Sequence, residues 1–265
     1  MAFIGGGNMA EAVLSGLLRK QTLSAPDLLV VEKLPERRAY LEKTYQVETT
    51  EAVTQGPLRS HTLFLAVKPQ ILSVIQEEIK TGLTKEHLVI SILAGCSRER
   101  LQNALGFPDR MVRVMPNLPA QVGQGVSAIT FPESLGETDR QWVRAILQSV
   151  GEIVEVDESL QDAVTAVSGS GPGYLFYLVD LFIQAGIHQG LAPEIAKRLV
   201  YETLAGSAEV LRRSNDTPAE LVRKVATPGG TTEAGLSALR ENRLGEIMQS
   251  VVDRATKRSQ ELNRA

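Results

Sequence analysis

Apolar residues along this chain follow two different rhythms. In the N-terminal part they come in short unbroken runs: Met1-Ala2-Phe3-Ile4, Leu28-Leu29-Val30-Val31, Thr62-Leu63-Phe64-Leu65-Ala66-Val67, Leu88-Val89-Ile90-Ser91-Ile92 and Met111-Val112-Arg113-Val114-Met115. Runs of this length, rich in β-branched and aromatic residues, predict strands covered on both faces, as in a parallel sheet. Helical spacing lies between them. Met9, Val13, Leu14, Leu17 and Leu18 share one side after the first run. Ile71, Leu72, Ile75 and Ile79 do so after the third, where Pro69 suits a first helical turn. A strand over Val126 to Phe131 follows, then a helix through Val143, Ile146, Leu147 and Val150 with a capping box at Thr138 and Gln141. An alternating strand from Glu152 to Val156 ends the series. The pattern predicts an α/β domain over residues 1–157.

From Glu158 onward the strand runs stop and only helical spacing remains, so residues 158–265 are expected to form an all-α domain. Between Tyr174 and Ile187, the residues Leu175, Leu178, Val179, Phe182, Ile183 and Gly186 make one stripe, yet Phe176, Tyr177 and Leu181 are apolar on the other side. A helix apolar all round should be covered all round. About a hundred residues supply little cover of their own, so a second subunit is expected against it. A long helix follows Pro193, with Ala196, Leu199, Val200, Thr203, Leu204, Ser207 and Leu211 inward. Thr217, Pro218 and Glu220 open a short capped helix. Leu244 to Asn263 makes the last one.

The first turn carries chemistry. Gly5-Gly6-Gly7-Asn8-Met9-Ala10 fits G-x-G-x-x-A between an apolar strand and an amphipathic helix, the context a dinucleotide fingerprint requires. Gly5 would make the tight turn, Gly7 would let the backbone approach a pyrophosphate, and Ala10 would keep helix and strand close. Glu32 ends the second strand, at about the distance expected of a ribose-binding acid. Alone it favours NAD; Lys33, Arg37 and Arg38, which follow at once, could instead hold the 2′-phosphate of NADP. Ala66, Val67, Lys68 and Pro69 end the third run, Leu93 and Ala94 follow the fourth, and Pro116-Asn117-Leu118-Pro119 the fifth. Ligands of open α/β sheets bind at such carboxyl ends. The first run is short for a central strand, so the natural start is expected upstream of Met1.

A second motif lies late in the chain. Thr227-Pro228-Gly229-Gly230-Thr231-Thr232 precedes a short helix with Ala234, Leu236, Ala238 and Leu239 on its apolar side. A Gly-Gly turn opening a helix offers unpaired N–H groups and the positive end of the helix dipole to an anion. Ser168-Gly169-Ser170-Gly171 reads equally as a substrate-side loop or as a tight turn before the helix.

Composition narrows the function. The formal charge is −3 over 265 residues, with 43% hydrophobic and 22% charged residues and no basic stripe with interleaved aromatics, so no nucleic-acid partner is expected. Cys96 is the one cysteine, which excludes an internal disulfide and multi-cysteine metal sites. His61, His87 and His188 lie in no ligand or triad pattern, and no metal is expected. The longest apolar helix candidate carries Asp180 and Gln184 and is too short to span a bilayer. No signal peptide precedes the glycine turn, and the chain is expected in the cytoplasm.

Five stretches, in order, together resemble the pyrroline-5-carboxylate reductases over nearly the whole chain: Phe3 to Ala10, Leu65-Ala66-Val67-Lys68-Pro69-Gln70, Arg113-Val114-Met115-Pro116-Asn117, Ser168-Gly169-Ser170-Gly171-Pro172 and Thr227 to Thr232. The resemblance implies an N-terminal Rossmann-type dinucleotide-binding domain and an all-α C-terminal dimerisation domain. It implies reduction of the cyclic imine 1-pyrroline-5-carboxylate to L-proline, with NADP as the expected cofactor and NAD as the alternative. It also implies homodimers through the helical domains, assembled further into rings of dimers. Gly229, Gly230 and Thr231 would present backbone donors to the substrate carboxylate, and Thr232 would donate to the imine nitrogen, with water or a protonated imine as proton source. Gly5, Gly6, Gly7, Asn8, Met9, Ala10, Glu32, Lys33, Ala66, Val67, Lys68, Pro69, Leu93 and Ala94 would border the cofactor. Leu93 and Gly173 depart from the small residue and the alanine usual at those places, and Leu93 is expected to narrow the nicotinamide side. Two rivals share the architecture: a β-hydroxyacid dehydrogenase, for which Lys197 and Lys224 are the nearest general acids, and a non-catalytic dinucleotide sensor.

Overall fold

The computed structural model of the chain describes residues 1–53, 57–106 and 110–264. The apolar runs become β1 (Ala2–Ile4), β2 (Leu29–Val31), β4 (Thr62–Leu65), β5 (Leu88–Ser91) and β6 (Met111–Met115). With β3 (Glu48–Thr50), β7 (Gly125–Thr130) and β8 (Gly151–Glu155) they form one sheet in the order β3-β2-β1-β4-β5-β6-β7-β8. Only the β6–β7 pair is antiparallel among the described strands. Glu48-Thr49-Thr50 carries no apolar run because it is the partly exposed edge, which is why hydrophobic patterning does not reveal it.

Alternation along each central strand feeds two cores. Phe3, Val30, Phe64, Ile90 and Val112 face one side with Val13, Leu14 and Leu17 of α1 (Asn8–Arg19), Leu41 of α2 (Pro35–Tyr45) and Val143, Ile146 and Leu147 of α5 (Glu137–Gln148). Ala2, Ile4, Leu63, Leu65 and Val89 face the other with Leu72, Ile75 and Ile79 of α3 (Pro69–Lys80) and Leu101 and Leu105 of α4 (Arg98–Leu105). The rings of Phe3 and Phe64 meet at 5.2 Å across β1 and β4. Each fully buried side chain of this size stabilises by about 1.5–3 kcal/mol, so the centre of the sheet is a stiff platform. α5 begins two residues earlier than its sequence signals suggest: Gly136 is its N-cap and no side chain caps it, so Thr138 and Gln141 do not form a capping box.

Two compact units divide the described chain, residues 1–172 with 254–265, and residues 173–253. The sheet unit extends past Glu158 because polar side chains tie the following turns to it. Gln161 donates from Nε2 to the Thr130 hydroxyl at 2.9 Å, and Asp162 Oδ1 accepts from Ser259 at 2.6 Å and Asn263 at 2.8 Å. Within this unit Ser168-Gly169-Ser170 is neither loop nor tight turn. Ser168 and Gly169 end a π-helical turn, Thr165–Gly169, between α6 (Gln161–Val164) and α7 (Gly171–His188), and Ser170 is its C-cap, with its N–H on the Thr165 carbonyl at 2.8 Å. Such widened turns recur at functional sites. A side chain at Gly169 would run into Met115, so this turn and the Arg113-to-Asn117 stretch touch directly.

The second unit is helical, with most of α7, α8 (Pro193–Arg213), α9 (Pro218–Val225), α10 (Thr231–Glu241) and the first part of α11 (Leu244–Arg264). Thr217 and Glu220 form the expected capping box at the start of α9. Leu175, Phe176, Tyr177, Leu178, Leu181 and Phe182 of α7 are all exposed, including those of the stripe expected inward, and so are Leu199, Leu204 and Leu211 of α8. Ala196 is the buried residue of α8. No helix among the described residues is long and apolar enough to cross a membrane.

Candidate functional site

The chain runs β1-β2-β3 toward one edge of the sheet and then returns to place β4 on the other side of β1. The strand order reverses there, and a crevice opens between neighbouring strand ends. Gly5 turns the chain out of β1 with φ +103°, its N–H on the Val31 carbonyl at 2.9 Å. A Cβ on Gly5 would lie 2.8 Å from the Ala66 carbonyl oxygen, so only glycine fits without strain. Gly6 is hemmed in by Leu41, Val30 and Glu32. Gly7 differs: its Cβ would meet no described residue within 4 Å beyond its chain neighbours. It is the N-cap of α1, and no side chain caps this helix. Asn8 and Met9 begin the helix, and Ala10 is buried against the sheet.

Beside this open N-terminus is a cavity of about 370 Å³, lined by Gly5 and Gly7, by Glu32 and Lys33 after β2, and by Ala66, Val67 and Lys68 after β4. Leu34, Glu51, Val53, Ile71 and Ile75 also line it. Glu51 and Val53 follow the strand that sequence patterning misses, and the half-exposed Leu34 looks like a helix-flanking residue until β2 and α3 are placed together. Pro69 is the first residue of α3. Leu93 does not line this cavity: at 2% exposure it packs into the core with Ile4, Leu65 and Val89. Ala94 is half-buried next to it.

A polar lattice fixes the floor. Glu32 accepts the Gly6 N–H on Oε2 at 3.1 Å and the Leu34 N–H on Oε1 at 3.0 Å. Arg37 donates from Nε to the Gly6 carbonyl at 2.7 Å and from Nη2 to Glu11 at 2.5 Å. Arg38 donates from Nη1 to the carbonyls of Glu32 at 2.8 Å and Lys33 at 3.0 Å. Tyr40 and Tyr45 donate to Glu11 Oε1 at 2.9 and 2.7 Å. Burial pushes the Glu11 carboxyl up, but hydrogen bonds from Tyr45, Arg37 and Tyr40 and the Arg37 charge outweigh it, so Glu11 titrates below its ordinary value. The Tyr45 phenol is raised by burial and by its bond to Glu11. A carboxyl whose native pKa is depressed stabilises the fold above the unfolded value, 4.5, and loses that contribution as pH falls through the native one. Glu11→Gln is therefore expected to lower Tm by about 3–6 °C at pH 7. The gap between variant and parent should close on acidification below the native value; thermal melts across pH 3–7 check this, and a gap that persists at low pH would show the charge is not its source.

In the helical unit, Gly229 lies in the left-handed region at φ +72° and Gly230 is the N-cap of α10. The amides of both are engaged inside the turn. Gly229 N–H donates to Glu233 Oε2 at 2.6 Å, and Gly230 N–H to the Thr227 carbonyl at 2.9 Å. Neither amide is a free donor in this structure. One of the two already carries a carboxylate, supplied by the chain itself at the third position of the helix. No side chain caps α10, and the Thr232 hydroxyl has no hydrogen-bond partner among the described residues.

The comparisons agree with this geometry. Residues 1–95 match the family described as NADP oxidoreductase coenzyme F420-dependent, and residues 158–262 that described as pyrroline-5-carboxylate reductase dimerisation. A pyrroline-5-carboxylate reductase of Synechocystis is 40% identical over 100% of this chain and 98% of its own. The chain belongs to the pyrroline-5-carboxylate reductase family. The solved Coxiella burnetii pyrroline-5-carboxylate reductase superposes with TM-score 0.91 at 30% identity, covering 100% of this chain and 98% of its own. The Plasmodium falciparum pyrroline carboxylate reductase, solved with NADP bound, gives 0.88 at 28%, with 99% and 97% covered. The fold expected of this family, a Rossmann-type sheet domain followed by a helical domain, is the fold observed.

The lysines that a hydroxyacid dehydrogenase would use are engaged otherwise. Lys224 pairs with Asp216, and Lys197 sits over the Tyr201 ring at 5.9 Å. Cys96 is buried and its thiol is pushed up by burial, so it is no nucleophile. Among the described residues no group of acidic, histidine and cysteine side chains could hold a metal. Arg113 was not a candidate from sequence, yet it is buried within β6 and paired to Glu158 at 2.7 Å, and Glu158 also accepts the Arg98 N–H at 3.1 Å. Its place in an otherwise apolar strand was the available signal.

Proposed function

We propose that this chain reduces 1-pyrroline-5-carboxylate to L-proline with NAD(P)H, the last step of proline biosynthesis. The observation that carries this reading is the end-to-end match to a curated reductase of that name, with 40% of residues identical over 265. The residues of the pocket fit a pyridine dinucleotide. Gly7 leaves the space that a pyrophosphate needs, the uncapped start of α1 offers N–H donors and a positive dipole end, and Glu32 lines the same cavity at the end of β2, where a ribose-binding acid belongs. NADP remains the cofactor expected from family resemblance, with NAD as the alternative. When bound, the reduced nicotinamide supplies the hydride.

The chain's own part is orientation. The start of α10 holds the substrate carboxylate through the backbone of Gly229, Gly230 and Thr231, with Glu233 and the Thr227 carbonyl giving up the Gly229 and Gly230 amides to the incoming acid. Thr232 directs its unpartnered hydroxyl to the imine nitrogen, and the proton that nitrogen gains comes from water or from an already protonated imine. A threonine hydroxyl is too weak an acid to be the source itself. Residues 1–157 bind the dinucleotide, and residues 158–265 bind substrate and join two chains. The apolar, exposed α7 supports a homodimer, and rings of such dimers in the cytoplasm complete the reading. Neither nucleic acid nor membrane enters it.

The test is oxidation of NADPH and NADH with 1-pyrroline-5-carboxylate, beside a β-hydroxyacid control. Thr232→Ala should lower kcat by about 10²-fold while Thr232→Ser keeps most of it. Glu233→Ala should lower KM for the imine with kcat little changed, because a competing carboxylate is removed. Turnover of the hydroxyacid alone, or full kcat in Thr232→Ala, would overturn the respective assignment, and dinucleotide binding without turnover would leave a sensor.

A further inference from the structure

From Arg254 on, α11 belongs to the sheet unit, and its last turns press on the loop that leaves β5. Gly95 of that loop is buried at φ +62°. Beyond its chain neighbours, the three atoms nearest to a Cβ placed there would all belong to Leu262, the first at 2.7 Å. Arg100 of α4 donates from Nη1 to the Leu262 carbonyl at 2.7 Å. Ser259 and Asn263, three residues before and one after Leu262, share its face of the helix. Both donate to Oδ1 of Asp162, at 2.6 and 2.8 Å, and Ser259 is only 3% exposed. We infer that the C-terminal turns of α11 are a clamp on residues 92–97, and that Asp162, Ser259, Leu262 and Asn263 position this loop for the nicotinamide half of the cofactor. This rests on reading the 370 Å³ cavity as the dinucleotide site.

Strand order places the loop there. It reverses between β1 and β4, and a dinucleotide lies across such a point. The cavity follows β1, β2 and β4, so a dinucleotide seated in it extends its other half toward the carboxyl ends of β5 and β6. Residues 92–97 are the connection out of β5. Their far end is already fixed: Ser97 caps α4 by accepting the Arg100 N–H at 3.2 Å, and Glu158 accepts the Arg98 N–H at 3.1 Å while pairing with Arg113 of β6 at 2.7 Å. Asp162 follows Glu158 by four residues, so one short stretch grips the start of α4 with its first carboxylate and the end of α11 with its second. At Gly95, in the middle of the loop, Leu262 does the holding. A loop held in place before the ligand arrives spares the ligand the cost of ordering it.

Binding of whole and half ligands tests this on the full chain. NADPH and NADH are titrated by nicotinamide fluorescence, and ADP and 2′,5′-ADP, which lack the nicotinamide half, by calorimetry. Asp162→Ala removes both bonds to α11 and should weaken the reduced dinucleotides by about tenfold, with the two half ligands changed by less than about twofold. Asp162→Asn keeps the acceptor oxygen and should restore most of the loss. Removing the donors instead, in the double variant Ser259→Ala with Asn263→Ala, should reproduce it. Thermal melts show which variants fold; if Asp162→Ala does not, Ser259→Ala alone, which leaves one bond, decides by the same comparison. Reduced dinucleotides bound as tightly by a folded variant as by the parent overturn the clamp. So does an equal loss of whole and half ligands, which is what a general loosening of the sheet unit would give. A parent chain that binds none of the four overturns the site itself, and the inference with it.

Discussion

Gly7→Val is expected to fold like the parent and to lose the dinucleotide. Among the described residues nothing beyond its chain neighbours lies within 4 Å of a Cβ at Gly7, and its φ of −70° is ordinary for any residue. Replacing an N-cap glycine by valine costs about 1 kcal/mol, or about 2–4 °C in Tm. The new methyls instead project into the open pocket that Gly7 lines, where a pyrophosphate needs close approach to the backbone. The affinity for NAD(P)H should fall by about 10²-fold or more, since the amide donors at the start of α1 become unreachable. Gly5→Val, two residues away, should do the opposite. There the side chain meets the Ala66 carbonyl at 2.8 Å and the backbone sits at φ +103°, so the fold itself is damaged. A loss of about 3 kcal/mol or more follows, about 6–12 °C in Tm. Melting curves and nicotinamide fluorescence on the two variants separate these effects. Retained affinity in Gly7→Val would remove this pocket as the cofactor site.

In solution the chain should be a dimer or larger, and Phe182→Asp should break it. Phe176, Tyr177 and Phe182 of α7 are each more than half exposed, and the neighbouring stripe of α8 is exposed too. A single chain does not leave that much contiguous apolar surface in water without a partner for it. The family match to a dimerisation domain over residues 158–262 points to a second copy as that partner. A carboxylate at position 182 would have to be desolvated in the interface, at about 2–4 kcal/mol, raising the dissociation constant by about 30- to 1,000-fold. Sedimentation velocity over a concentration series measures it. A parent chain that stays monomeric at micromolar concentration would show that the apolar face of α7 is not an interface between copies.

The sequence by itself determined most of the sheet and the identity of its first turn. Strands buried on both faces must be apolar throughout, so β1, β2, β4, β5 and β6 are visible as runs. Local rules also suffice where a feature closes within a few residues, as with the Thr217–Glu220 box. The edge strand β3 is invisible because one polar side faces water, and no residue there has to be apolar.

Only the tertiary structure decided which partner each polar group has. Arg37 and Arg38 look like free cations in sequence; Arg37 meets Glu11, 26 residues earlier, and Arg38 turns back onto the loop it follows. Leu93 looks like a pocket residue and is core, because β4 and β5 bring it inward. The stripe of α7 looks like an internal face and is exposed in one chain, because helical period reports that a face is apolar and not what covers it. Hydrogen bonds and burial are set by contacts distant in sequence. The chain thus writes its backbone largely in the open, and the partners of its polar side chains only in the fold.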